Sequence, residues 1–233
     1  MTMTLAARFL PILLATVFAS FNVQAERIAV IGTGSVGSTL GQEFGALGHD
    51  IIYGSRSPER EDVKELVKNT ENASIALPAA AVKDADIVVL GIPGLKVEEI
   101  TESLGTLDGK ILIDPTNPLI GWEENNLTLR KGPSNAELIQ AVAPKAHVVK
   151  AFSTLNVQQM RQPEESAFPI SILLAGDDDA AKTKVAELAA ALGLHPIDVG
   201  DISAASYVEG MAVLLLNNRI QGRQRFDFHL TTE

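Results

Sequence analysis

The chain of 233 residues is 46% hydrophobic and 21% charged, an ordinary composition for one globular core. Its 19 Lys and Arg against 29 Asp and Glu give a formal net charge of -10, so no positive field favours a polyanion and nucleic acid is not expected as a partner. Cysteine is absent, which removes disulfides, thiolate nucleophiles, Cys-ligated zinc and iron–sulfur clusters together.

The first 25 residues differ from the rest. Arg8 supplies a positive n-region, Phe9 to Phe18 an apolar stretch, and Val23-Gln24-Ala25 a small-residue cleavage site. A bilayer-spanning helix needs about 20 apolar residues, and this run is shorter and interrupted by Pro11 and Asn22. The pattern predicts a signal peptide over residues 1–25 and an exported mature chain, periplasmic or secreted, from Glu26 to Glu233 with no stable membrane span. An uncleaved anchor or a misassigned start are the other readings, and without a real signal the chain is expected to be cytoplasmic.

Ile28 to Ile31 is a short apolar run that stops at glycine, and Val36, Leu40, Phe44 and Leu47 then recur at helical spacing until Gly48. His49 to Tyr53 reads as a second strand, and Pro58 to Val67 as a mostly polar helix with proline in its first turn. Asp86 to Ile92 is a third strand, preceded by the Ala-rich stretch Ala79 to Ala85. Lys110 to Asp114 is a fourth, ending in the loop Pro115-Thr116-Asn117-Pro118. Ser134-Asn135-Ala136-Glu137 fits a capping box and predicts a helix to Val142.

His147 to Phe152 and Ile170 to Ala175 are two further strands. The triplet Asp177-Asp178-Asp179 precedes a helix, Ala180 to Leu192, whose first turn favours acidic groups; this reads as a helix N-terminus rather than a metal site. His195 to Val199 is a seventh strand, and Ala204 to Ile220 a long apolar helix whose Met211 to Leu216 stretch suits core or a dimer surface. The four histidines are scattered and read as structural.

Gly32-Thr33-Gly34-Ser35-Val36-Gly37 follows an apolar strand and opens an amphipathic helix, the context in which each glycine of a G-x-G-x-x-G has a mechanical role. Gly32 permits the tight turn, Gly34 lets the backbone approach a pyrophosphate, and Gly37 lets helix pack on strand. The anion is expected on N–H groups at the helix N-terminus. With strands alternating with helices, this predicts a Rossmann-type α/β fold, a doubly wound and mostly parallel sheet with a small C-terminal helical extension, occupying residues 26–233. At the end of the second strand, NAD-specific domains place an acid on the ribose 2′-hydroxyl. Here Gly54 stands where an acid would otherwise be, and Ser55 and Arg56 can bind a 2′-phosphate, which predicts NADP(H).

With these residues, Gly91-Ile92-Pro93, Lys150-Ala151-Phe152 and Gly176-Asp177-Asp178-Asp179, the chain resembles the NADP-dependent 8-hydroxy-5-deazaflavin oxidoreductases and, more distantly, the cytoplasmic reductase domain of six-transmembrane metalloreductases. The similarity covers nearly all of residues 27–230. It implies that Thr33, Ser35 and Val36 line the pyrophosphate and that Ser55 and Arg56 hold the 2′-phosphate. Ile92 and Pro93 would border the nicotinamide, with Ala151 to Asn156 as the floor near the transferred hydride. Ser153 and Asn156 fall where family members vary.

A deazaflavin or flavin as second substrate needs orientation rather than acid–base residues. No catalytic side chain is therefore expected. A carbonyl or imine reductase would need a proton donor, and the Tyr-x-x-x-Lys pair is missing because Ser57 follows Tyr53 and Met211 follows Tyr207 at that spacing. Imine reduction is the enzymatic alternative, and a non-catalytic NADP(H)-binding redox sensor or subunit is the alternative outside enzymes. The expected partners are a small redox substrate and, through the apolar helix, a second copy in a homodimer.

Overall fold

The computed structural model describes residues 25–224 and 226–231, so the expected signal peptide lies outside the described residues except for Ala25. In chain order the elements are β1 (Arg27–Ile31), α1 (Ser35–Ala46), β2 (Asp50–Gly54), α2 (Glu61–Lys68), β3 (Ala73–Ala76), α3 (Pro78–Lys83), β4 (Ile87–Leu90), α4 (Val97–Ser103) and β5 (Ile111–Asp114). A short hairpin, β6 (Leu119–Ile120) and β7 (Thr128–Leu129), precedes α5 (Asn135–Val142) and β8 (His147–Lys150). Then come α6 (Val157–Arg161), β9 (Ser171–Leu174), α7 (Asp179–Ala191), β10 (His195–Asp198) and α8 (Ala205–Ile220).

Six strands form one parallel sheet in the order β3-β2-β1-β4-β5-β8. Alternate residues of β1 serve two cores: Ile28 and Val30 pack with Leu40 and Phe44, while Ala29 and Ile31 pack with Ala81 and Val82. A strand buried on both faces has to be apolar throughout, which is why β1, β4 and β5 read as continuous apolar runs rather than alternating ones. Because β1 connects outward in both directions, the chain reverses between β1 and β4. The connections that follow their carboxyl ends, α1 and α4, pack on opposite faces of the sheet, the arrangement that creates a ligand crevice in such folds.

The structure departs from the sequence reading in several places. Residues 73–76 form a strand, half-buried at the sheet edge, that their weak apolar signal concealed. Pro58 lies in a turn before α2, which is capped at Arg60, so the proline is not in the helix's first turn. Most consequentially, β9 and β10 leave the main sheet and pair with each other in parallel, joined to it by one bridge in which the amides of Lys150 and Ala175 donate to each other's carbonyls. The strand expected over 147–152 ends at Lys150. Phe152, at φ 61, turns the chain out of the sheet.

Candidate functional site

Three backbones meet at the start of α1. A Cβ on Gly32 would lie 2.2 Å from the Gly91 carbonyl oxygen, and one on Gly37 would lie 2.1 Å from the Gly32 oxygen. A Cβ on Gly91 would come within 2.7 Å of the Gly37 Cα. Gly32 also sits at φ +98, a conformation that disfavours side chains. Gly34 is different: its added Cβ would meet nothing within 4 Å. No neighbour requires a glycine there, so the opening lies on the outer, ligand-facing side of the loop. Gly34 is also the N-cap of α1 and offers no side chain to the helix's first N–H groups, and the first turn holds no acid. Those donors remain available to an anion, with the helix dipole adding to the attraction. The loop thus fits a dinucleotide pyrophosphate, with Thr33 half-buried and Ser35 exposed beside it.

At the tip of β2, Ser55 is 7% exposed and its Oγ accepts the Ser57 amide at 3.2 Å. Arg56 is exposed, and the field it exerts helps hold the Glu99 carboxyl below its ordinary range, behind the larger effect of Lys96. Both lie one turn of chain from the glycine loop, since the Gly32 amide donates to the Gly54 carbonyl at 3.1 Å. Gly54 itself is closed to a side chain: a Cβ would sit 2.6 Å from Ile31 Cδ1 and 3.2 Å from Pro78 Cα. Packing alone requires a glycine at this position, which corrects the expectation that Gly54 stands in place of an acid.

Beyond the loop, past the carboxyl ends of β5 and β8, opens a cleft of about 530 Å³, within the range of roughly 300–1,000 Å³ usual for small-molecule sites. Val36 borders it on the α1 side and Phe152 to Asn156 form its floor. Pro115 and Asn117 make one wall, and Ala212, Leu215, Leu216 and Arg219 of α8 the other. Phe226 and Asp227 close the rim, where Asp227 accepts a hydrogen bond from Gln159. This last segment runs along β9, the Ser171 amide donating to the Phe228 carbonyl at 3.0 Å. Ile92 is half-buried against Gly32, and exposed Pro93 opens the turn Gly94–Lys96. Ala151 does not line the cleft. Its side chain is fully buried in the core behind it, and the floor starts one residue later.

Under the floor lies a charged group that the sequence reading did not assign. Lys150 Nζ is 2.6 Å from Asp114 Oδ2, 2.8 Å from Glu209 Oε1 and 2.7 Å from the Thr116 carbonyl, and all three side chains are at most 1% exposed. Asp114 Oδ1 also accepts the Thr116 amide and hydroxyl, Glu209 Oε1 accepts the Asn135 amide, and Asn135 Nδ2 donates to Thr116 Oγ1 and the Gly94 carbonyl. Burial pushes the Glu209 carboxyl up, while Lys150 pulls it back down. One lysine thereby ties together the end of β5, the 115–118 loop, the N-terminus of α5 and helix α8. The available signal was a single acid in a mostly apolar helix. The Asp triplet, by contrast, sits as expected: Asp178 caps α7 by accepting the Ala181 amide at 2.8 Å.

The profile of a family described as NADP oxidoreductase, coenzyme F420-dependent, matches residues 27–118. Over 193 residues, 83% of the chain, the protein is 28% identical to the metalloreductase STEAP3 of Rattus norvegicus. It spans only 38% of that protein's length. Among solved structures, a candidate F420-dependent NADP reductase from Arthrobacter sp. FB24 superposes with a TM-score of 0.81 at 31% identity, covering 89% of this chain and 100% of the other. A reductive aminase from Aspergillus terreus shares the fold at 18% identity and a TM-score of 0.62, covering 85% of this chain and 63% of the other.

Proposed function

Because this chain belongs to the NADP oxidoreductase family described as coenzyme F420-dependent, we propose that it transfers hydride between NADP(H) and a flat ring acceptor of the deazaflavin or flavin type. NADP(H), when bound, supplies or takes up the hydride. The chain's own residues hold and orient. The free N–H groups of the first turn of α1 take the pyrophosphate, Ser55 and Arg56 the 2′-phosphate, and Ile92 and Pro93 border the nicotinamide.

The observation that carries this reading is the chemistry of the cleft wall. Among the described residues, its ionisable side chains are Arg219 and Asp227 alone, and Asp227 is engaged by Gln159. His, Lys and Tyr are missing from that lining. A carbonyl or imine needs a proton delivered to a developing anion or amine, whereas stacked ring systems need alignment at about 3–3.5 Å in a site that excludes water. Phe152, Leu215, Leu216 and Phe226 supply apolar walls suited to a ring. Stopped-flow absorbance of NADPH oxidation with flavin, deazaflavin and cyclic imine acceptors tests the assignment. Ring acceptors are expected to turn over fastest; faster reduction of the imine would overturn it, and binding of NADPH with no turnover on any acceptor would favour a sensor.

A further inference from the structure

Two buried polar atoms at the cleft are left without a partner. Ser153 is 6% exposed and Asn117 is half-buried; both line the cleft, and neither Ser153 Oγ nor Asn117 Oδ1 has a hydrogen bond among the described residues. The other such atoms are elsewhere, on Thr39, His49 and Thr101, except for Asp114 Oδ2, which faces Lys150 at 2.6 Å. Buried polar groups in folded proteins are nearly always paired, so two neighbouring exceptions at one cleft require a cause.

The orientation of Asn117 is set by its surroundings. Its Nδ2 donates to the Ser153 carbonyl at 2.8 Å; the opposite flip would put oxygen against oxygen, so Oδ1 is the unpaired end and can only accept. The Thr116 side of the loop is clamped by Asp114 and Asn135, and a Cβ on Gly94 would lie 1.9 Å from the Asn117 carbonyl oxygen, which fixes the backbone as well. Ser153 follows Phe152, whose ring packs edge-on against Phe44 with centroids 6.1 Å apart. Its hydroxyl retains rotation about one bond and can donate.

We propose that Asn117 and Ser153 form a reader for an amide edge, a carbonyl beside an N–H, on the molecule that enters the cleft. Asn117 Oδ1 accepts the N–H and Ser153 Oγ donates to the carbonyl, so one planar group satisfies both atoms. This rests on the NADP(H) reading, and two molecules present such an edge: the nicotinamide carboxamide and the pyrimidine ring of a flavin-type acceptor.

The test is binding, measured by titration calorimetry on the full chain, wild type, Asn117→Leu and Ser153→Ala. The probes are NADP⁺, its 3-acetylpyridine analogue, in which a methyl replaces the carboxamide NH₂, and adenosine 2′,5′-bisphosphate, which lacks nicotinamide. Riboflavin and N3-methylriboflavin form the acceptor arm. Wild type is expected to prefer NADP⁺ over the analogue by roughly tenfold, the size of one buried hydrogen bond left unmade. Asn117→Leu should abolish that gap. Ser153→Ala should weaken both nicotinamide ligands alike, and adenosine 2′,5′-bisphosphate should bind all three proteins equally. A gap found between riboflavin and its N3-methyl form instead, and abolished by Asn117→Leu, upholds the reader and assigns it to the acceptor. No gap in either arm, or a gap unchanged in Asn117→Leu, overturns it. Failure of adenosine 2′,5′-bisphosphate to bind wild type would instead sink the nucleotide reading.

Discussion

At the glycine loop, backbone meets backbone: Gly32, Gly37 and Gly91 leave no room for one another's Cβ, and the geometry is complete within the first four strands. Across the switch point, the cleft is held by long side chains that converge from far apart in the chain, Lys150 on Asp114, Thr116 and Glu209. The first arrangement has no charge and no rotamers to order. The second places a cation between two carboxylates in full burial, which costs desolvation and is stable only while every partner is present. Steric exclusion therefore gives a rigid glycine loop, and a conditional polar network supports the floor of the cleft.

The contrast breaks most visibly at Lys150. Lys150→Met leaves Asp114 and Glu209 buried beside each other, and urea unfolding should show a loss of about 3–5 kcal/mol. A loss below about 1 kcal/mol would mean the network is decoration. In the loop, Gly37→Ala should cost about 1–3 kcal/mol by overpacking and also abolish NADPH binding. Gly34→Ala should leave the unfolding midpoint unchanged yet weaken NADPH, because its new methyl meets only the ligand; equal effects of the two would erase the distinction between packing and cradle glycines.

Smaller effects sharpen the comparison at its edges. Arg56→Ala should weaken NADPH by roughly 10- to 150-fold and spare NADH, the net value of a charged hydrogen bond; calorimetry showing both nucleotides equally affected would remove Arg56 from the phosphate site. The smallest effect belongs to His49, fully buried, whose Nδ1 accepts the Glu26 amide at 3.1 Å. Burial holds its pKa below the ordinary 6.5. The unfolded chain therefore takes up the proton first, and stability should fall as pH drops below about 6.5 toward the lower folded value, by at most about 1.4 kcal/mol per pH unit. His49→Gln should flatten that part of the melting-temperature profile, and an unchanged slope would assign it to other groups.

How much could be read in advance follows the same division. The glycine loop and the capping box at Ser134 are local, so short spacings carry them; Ser134 indeed accepts the Glu137 amide while Glu137 Oε2 accepts the Ser134 amide. The Rossmann order followed from alternation of elements. Edge strand β3 was hidden because its residues are only half-buried. The separate pairing of β9 with β10 is a tertiary choice that the apolar pattern of neither strand marks. The cleft was least legible. Its walls combine residues 115–117, 152–159, 212–219 and 226–227, and no periodicity within any one of them points to the others. Ala151 was placed one residue too early in the floor for the same reason.

The charge that anchors α8 comes from residue 209, whereas Gly32, Gly37 and Gly91 are all made before the chain is half synthesised. Emerging from the ribosome N-terminus first, the chain can close its anion cradle while Lys150 still lacks its second carboxylate and the rim segment 226–227 does not yet exist. Synthesis thus orders the parts in time: the glycine loop is available before the far side of the cleft, which cannot form until residues 212–227 have left the exit tunnel.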